Sequence, residues 1–310
     1  MAPGRPTRLA VVGLGRMGLP IARHLARIGH DVTVYDSDPG RMRLADASGL
    51  RLGASAAAIA DDAAVLVAIL PGAAEFEDLM LGPSGIVDRL AAGSCWLDLT
   101  SNDPRVARRV DAASSARGVL AVGAPMAGGI EAAETASLEF YVGGAPAARD
   151  LVAPVLTGLA RPDGVRLAGD DIGSGYSAKL LVNLLWFGQV AAVSEALLLG
   201  RRLGLAPAEL RRLIAGSAAD SSFARRHLDG LLAGDYAETF GLRECVAELD
   251  IVTELARETG SPFEVSSLIA RLHHDALDRF GPVDGEMLVA RLLEEQAGDR
   301  LRDSGTPGSS

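Results

Sequence analysis

Basic clusters, cysteines and long apolar runs are all scarce in this chain of 310 residues. Lysine plus arginine number 30 against 40 acidic residues, a net charge of −10, and the basic residues gather at most in arginine pairs such as Arg108–Arg109 and Arg201–Arg202. A polyanion is held by a basic stripe that displaces its counterions; this chain offers no such electrostatic case, and no nucleic-acid partner is expected. The two cysteines, Cys95 and Cys245, have no metal-type spacing and predict reduced thiols of a cytosolic protein. The adjacent His273 and His274 would stand about 100° apart on a helix, so no metal site is expected. The chain enters a strand within a few residues of its start, which predicts a cytoplasmic protein without a signal peptide. One stretch only, Leu180 to Gly200, is about as long and apolar as a membrane span of roughly 20 residues. Asn183, Gln189, Ser194 and Glu195 interrupt it and no second run accompanies it. No membrane partner is expected.

What is present is a core. The chain is 48% hydrophobic and 23% charged, and at about 100–200 residues per domain its length predicts two domains. The stretch from Gly173 to Arg202 contains almost no helix breaker and predicts one long helix. Apolar nearly all round, it is expected to be buried and packed from several sides. Lys179 and Asn183 lie one turn apart on it, so an ammonium and a carboxamide would share a face.

The first half alternates strands with helices. An apolar run from Leu9 to Val12 is followed at once by Gly13, Gly15 and Gly18, and then by a helical pattern to about Ile28. In this strand–turn–helix context the spacing has a mechanism. Gly13 permits the tight turn, Gly15 lets a pyrophosphate approach the backbone, and Gly18 allows close helix–strand packing. Phosphates would sit at the helix N-terminus, beside Leu14, Arg16 and Met17. The second strand, from Asp31, closes at Asp36, placed to take the ribose hydroxyls. A carboxylate there repels a 2′-phosphate and Asp38 adds to it, so NAD is favoured; Arg41 and Arg43 nearby leave NADP open. Ala63–Leu70 and Ser94–Leu99 read as strands buried on both faces, and Val119–Val122 and Phe140–Val142 as further strands. In the stretch from Asp98 to Pro104, the N-cap-type residues and Pro104 announce a helix. The pattern predicts a doubly wound α/β domain of Rossmann type over residues 1–170. Residues 171–297 read as all-helical, joined by the long central helix and ending in a frayed tail, 298–310. Arg225, Arg226 and His227 read as a solvated helix face.

These motifs together resemble the β-hydroxyacid dehydrogenase family, which includes 3-hydroxyisobutyrate, 6-phosphogluconate, tartronate semialdehyde and L-threonate dehydrogenases. The resemblance covers about residues 8 to 297. GLGRMGLP from Gly13 looks like the family's cofactor loop. DLTSNDP from Asp98 falls on its hydroxyl-bearing loop, with Ser101 at the hydroxyl position. GAPMAGG from Gly123 falls on its substrate loop, and GSGYSAK from Gly173, with Asn183, on its catalytic segment. The resemblance implies a nicotinamide-dependent dehydrogenase in which Lys179 is the general acid/base and Asn183 its partner at the substrate hydroxyl. Ser101 and the amides of Gly128 and Gly129 would hold a substrate carboxylate, and Leu70 and Pro71 would line the cofactor. It also implies homodimers or homotetramers formed through the helical half. The chemistry agrees. As hydride reaches a carbonyl carbon, charge develops on its oxygen, and an ammonium there stabilises that charge and donates the proton. In the oxidative direction the amine has to be neutral, a state that burial favours.

The chain departs from the family pattern at several points. Gly123 stands where the substrate loop usually begins with Asp, Met126 and Ala127 replace Val and Ser, and Val182 replaces the first Asn of a pair. In the segment from Phe240, Ala247 stands where Lys is usual and Glu248 where Asp is usual. Fewer polar groups predict a bulkier or less anionic substrate than hydroxyisobutyrate, with Glu248 and Trp186 on its side of the site. An imine reductase-like enzyme is the rival within this architecture, though such enzymes usually lack a Lys at the position of Lys179. A non-catalytic cofactor-binding scaffold is the rival from another class, against which the retention of Lys179, Asn183 and Ser101 argues.

Overall fold

The computed structural model describes residues 7–237 and 240–302. The expected loose arm at the N-terminus and the tail from 303 on lie outside them. The chain divides into two compact units, Met1–Lys179 and Leu180–Ser310, and the division falls inside the long helix.

The first unit is built on one sheet. Its strands are β1 (Arg8–Val12), β2 (Asp31–Tyr35), β3 (Arg51–Leu52), β4 (Val65–Ala68), β5 (Cys95–Asp98), β6 (Leu120–Gly123), β7 (Met126–Ala127), β8 (Leu138–Gly143) and β9 (Ala160–Gly169). The helices between them are α1 (Gly18–Arg27), α2 (Pro39–Ala47), α3 (Ala56–Ala60), α4 (Ala73–Leu81), α5 (Pro104–Ser115), α6 (Gly129–Thr135) and α7 (Pro146–Leu159). The sheet order is β3-β2-β1-β4-β5-β6-β8-β7, with β9 on β8. From β3 to β6 every pairing is parallel, and β8 runs antiparallel to β6. The order reverses between β1 and β4, the position beyond whose carboxyl ends open α/β sheets bind ligands.

Both faces of the sheet are covered, which is why these strands read as continuous apolar runs. Leu9 and Val11 pack with Ile21 and Leu25 of α1 and Val152 and Leu156 of α7. Ala10 and Val12 face the other way, against Phe76 and Met80 of α4 and Val106 and Val110 of α5. The expected helix start at Pro104 is capped by Asp103, whose carboxylate accepts the Arg105 N–H at 2.8 Å. β9 is missing from the strand pattern of the sequence. It contains Pro162 and the left-handed Asp163 (φ 58°), and it pairs only with β8, an edge position where proline is tolerated.

The long helix, α8, spans Ser174–Arg202 as its composition requires. The second unit continues from it through α9 (Pro207–Ile214), α10 (Ser222–Arg226), α11 (Leu228–Ala233), α12 (Leu242–Thr259), α13 (Glu264–Phe280) and α14 (Leu288–Ala297). Burial of α8 from several sides does not hold. Leu180, Leu184, Phe187, Val190 and Leu197 are buried, but Leu181, Val182, Leu185 and Leu199 are exposed, Leu185 at 69%. Among the described residues, one side of α8 is covered and the other is not. His227 also departs from the solvated face assigned to it: its ring stacks on Phe223 and stands edge-on to Trp186. The first residues of the expected frayed tail are held in place, because Leu301 is buried and Asp299 pairs with Arg201 at 3.2 Å.

Candidate active site

The turn after β1 shows why each glycine is there. Gly13 has φ 94°, and a Cβ on it would lie 2.1 Å from the Ile69 carbonyl oxygen. A Cβ on Gly18 would lie 1.9 Å from the carbonyl oxygen of Gly13. These two are fixed by the packing of α1 and β4 against the turn. Gly15 is different: a Cβ there would meet nothing nearer than the Arg41 guanidinium at 3.8 Å. Its smooth side is open to a ligand. α1 begins without a side-chain cap or an acidic residue in its first turn, so its dipole favours an anion. Leu14 is buried, Met17 half-buried against the core, and Arg16 exposed.

Asp36 lies just beyond β2. One carboxylate oxygen accepts the Leu14 N–H at 2.7 Å and faces Arg41 Nη1 at 3.4 Å; the other accepts the Asp38 N–H at 2.8 Å. Arg41 also lies 3.8 Å from Asp38. Across the turn, Leu70 donates its N–H to Thr100 Oγ1 at 3.0 Å, with the exposed Pro71 after it. An open Gly15, an uncapped helix start and an acidic residue at the end of β2 together fit a dinucleotide.

Farther along the same sheet edge, the loop after β5 meets the first turns of α8. Lys179 is 5% exposed and donates from Nζ to Ser101 Oγ at 2.5 Å. Lys179 is also the only lysine of the chain, all other basic side chains except histidine being arginine. That count is a plain signal in the sequence. Sequence reasoning passed over Asp98, Asn102 and Tyr176. Asp98 is wholly buried at the end of β5 and accepts from Thr100 N at 3.0 Å, Asn102 Nδ2 at 2.8 Å and the Tyr176 hydroxyl at 2.9 Å. Burial pushes its carboxyl up to about 6, against the pull of those donors. The Tyr176 hydroxyl is raised as well, first by its own burial. An acidic residue closing an apolar strand was the available clue, since a buried carboxylate needs partners.

Gly128 and Gly129 form a turn of their own between β7 and α6, with φ 121° and 69°. A Cβ on Gly129 would meet nothing within 4 Å, whereas one on Gly128 would strike Ala132. In the second unit, Asn183 donates from Nδ2 to Oε2 of the buried Glu248 at 2.6 Å. Trp186 is half-buried among Phe187, Phe223 and His227, with centroid distances of 5.7, 5.8 and 5.7 Å.

Comparison with known proteins places both units. Residues 8–169 match the family model described as the NAD binding domain of 6-phosphogluconate dehydrogenase. Residues 173–293 match that described as NAD-binding of NADP-dependent 3-hydroxyisobutyrate dehydrogenase. The chain is 35% identical to a 3-hydroxyisobutyrate dehydrogenase of Pseudomonas aeruginosa over 208 residues, 67% of this chain and 69% of that protein. It is 26% identical to the 2-(hydroxymethyl)glutarate dehydrogenase of Eubacterium barkeri, over 86% of this chain and 87% of that one. The solved Mycobacterium tuberculosis 3-hydroxyisobutyrate dehydrogenase with L-serine superposes with a TM-score of 0.84 at 25% identity, covering 93% of this chain and 99% of that one.

Two predictions follow from the geometry. Gly18→Ala forces the backbone of the turn to move and lowers the unfolding free energy by about 1–3 kcal/mol, whereas Gly15→Ala leaves it within about 0.5 kcal/mol. Chemical denaturation of both variants checks this. The second concerns Asp98. Its folded-state pKa of about 6 lies above the ordinary 3.8, so its contribution to stability is complete below about pH 4 and is lost as pH rises through 6. The unfolding free energy of the wild type minus that of Asp98→Asn therefore falls by up to about 3 kcal/mol over that window. A difference that is flat with pH contradicts the assignment.

Proposed function

The chain belongs to the β-hydroxyacid dehydrogenase family of nicotinamide-dependent oxidoreductases, and on that premise we propose that Lys179 is the proton donor and acceptor for a β-hydroxy acid or its semialdehyde. The bound nicotinamide supplies or accepts the hydride. The observation that carries the reading is the single, buried lysine with its amine 2.5 Å from the Ser101 hydroxyl. A desolvated ammonium held at a fixed point stabilises an oxyanion far better than a solvated one, and the same nitrogen can return the proton. Asn183, held by Glu248, offers its amide to the same oxygen, and Ser101 with the amides of Gly128 and Gly129 takes the carboxylate. In the wider division of labour, residues 1–170 bind the cofactor and the helical residues 171–297 serve substrate and assembly.

NAD is the better fit of the two cofactors. Gly13, Leu14, Gly15, Arg16, Met17 and Gly18 take the pyrophosphate, with Leu70, Pro71 and Ser101 along the nicotinamide half. Asp36 has both oxygens engaged, and Arg41 is drawn to Asp36 and Asp38 rather than left for a 2′-phosphate. The polar groups absent at Gly123, Ala127 and Ala247 support a bulkier or less anionic acid than hydroxyisobutyrate, with Trp186 beside its tail. The exposed Leu181, Val182, Leu185 and Leu199 support a homodimer or homotetramer formed through the helical half. Two buried cysteines, neither of them in a disulfide, suit the cytoplasm. Imine reduction is the weaker reading, since it leaves the Lys179–Ser101 pair without a task.

The test is turnover of a panel of β-hydroxy acids, semialdehydes and imines with each nicotinamide cofactor. Lys179→Ala lowers kcat by about 10²–10⁴-fold while cofactor affinity stays within about twofold of the wild type. A fully active Lys179→Ala variant, or imines as the best substrates, contradicts the reading.

A further inference from the structure

We propose that Tyr176, admitted by the missing side chain of Gly123 and anchored on Asp98, is a positioning residue that sets where the Lys179 amine stands. The inference rests on the reading of Lys179 as the proton-transfer group. It also gives a physical reason for the departure at Gly123, where the related sequences usually carry Asp.

Asp98 and Gly123 are direct register partners at the ends of β5 and β6. A Cβ on Gly123 would lie 2.4 Å from Cε2, 2.6 Å from Cζ and 2.8 Å from the hydroxyl of Tyr176. The phenol therefore occupies the volume that any side chain at residue 123 needs. An aspartate at 123 and a tyrosine at 176 exclude each other in this arrangement. The rest of the helix start is equally close. A Cβ on Gly175 would lie 2.3 Å from the Tyr141 carbonyl oxygen and 2.8 Å from that of Gly123. Arg108 pairs with Asp171 at 2.7 Å, and Asp171 accepts the Gly173 N–H at 2.9 Å. At this point Tyr176, 0% exposed, is wedged between the helix and the strand ends.

Its hydroxyl reaches a carboxylate that is otherwise bonded to its own loop, through Thr100 and Asn102. Tyr176 and Lys179 lie on one face of α8, and Asp98 closes β5 where the loop that carries Ser101 begins. Two hydrogen bonds thus join the same helix face to this strand end and its loop, Tyr176–Asp98 at 2.9 Å and Lys179–Ser101 at 2.5 Å. The lysine side chain is four carbons long and cannot by itself fix the rotation of the helix. The rigid, two-torsion phenol can. With it removed, Ser101 still binds the amine, but this face of the helix loses its second tie to the strand end and the amine shifts relative to the reacting oxygen.

The single lysine makes this measurable without a substrate. Protein labelled with [ε-13C]lysine gives one side-chain resonance, that of Lys179. Tyr176→Phe keeps the ring and removes only the hydroxyl. In that variant the resonance shifts or splits, and kcat falls about tenfold with cofactor affinity and KM held within about twofold. A resonance and a kcat both unchanged overturn the proposal. The second arm uses the steric pairing and survives poor folding of any one variant. Gly123→Ala lowers kcat at least about tenfold when Tyr176 is present, yet costs less than about twofold in a Tyr176→Ala background. Equal costs in both backgrounds overturn it. Lys179→Ala run alongside separates the two readings. If Lys179→Ala is inactive and the Tyr176 and Gly123 variants behave as wild type, only the positioning role fails. If Lys179→Ala is active, or wild type turns over nothing, the underlying reading fails and takes this one with it.

Discussion

The hydrogen bond from Tyr176 to the buried Asp98 is the constraint around which the end of β5, its loop and the start of α8 are arranged. A carboxylate at the end of a fully covered strand is tolerated only with its lone pairs satisfied. Asp98 obtains partners from its own loop and one from the start of α8. The loop is thereby held in the shape that presents the Ser101 hydroxyl, and the helix in the orientation that brings Lys179 to it. Strand end, loop and helix form one polar network in an otherwise apolar setting. Such networks are strong when complete and costly when one member is lost.

The same economy governs the cofactor side. Gly13 and Gly18 are tied to backbone contacts, and only Gly15 is left open, so the turn has one face for packing and one for a ligand. Asp36 holds the Leu14 N–H, which couples the acidic end of β2 to the glycine turn. In the helical unit, Asn183 is oriented by a buried carboxylate, Glu248. In each case a polar group is fixed by a second residue whose own position is set by burial, the kind of arrangement that keeps a site organised in advance of a ligand.

Much of this was legible in the sequence. The glycine turn could be read because its spacing encodes steric requirements that are local, and the long helix because its composition admits nothing else. The central parallel strands β1, β4 and β5 announced themselves as apolar runs. Three features were not readable. β9 lacks apolar alternation, because as an edge strand it needs little. The exposure of Leu181, Val182 and Leu185 depends on how many partners α8 finds, which periodicity does not contain. The Tyr176–Asp98 bond joins residues 78 positions apart and leaves no local pattern. The departure at Gly123 looks like a lost polar group when taken alone; beside Tyr176 it is the space the ring requires.

The central claim is that Lys179 exchanges the proton at the substrate oxygen. A crystal structure with a nicotinamide dinucleotide and the preferred hydroxy acid bound tests it most directly. The account predicts Lys179 Nζ within about 3 Å of the hydroxyl oxygen, with Tyr176 still bonded to Asp98. A complex in which another side chain meets that oxygen, with Lys179 turned away from it, contradicts the account.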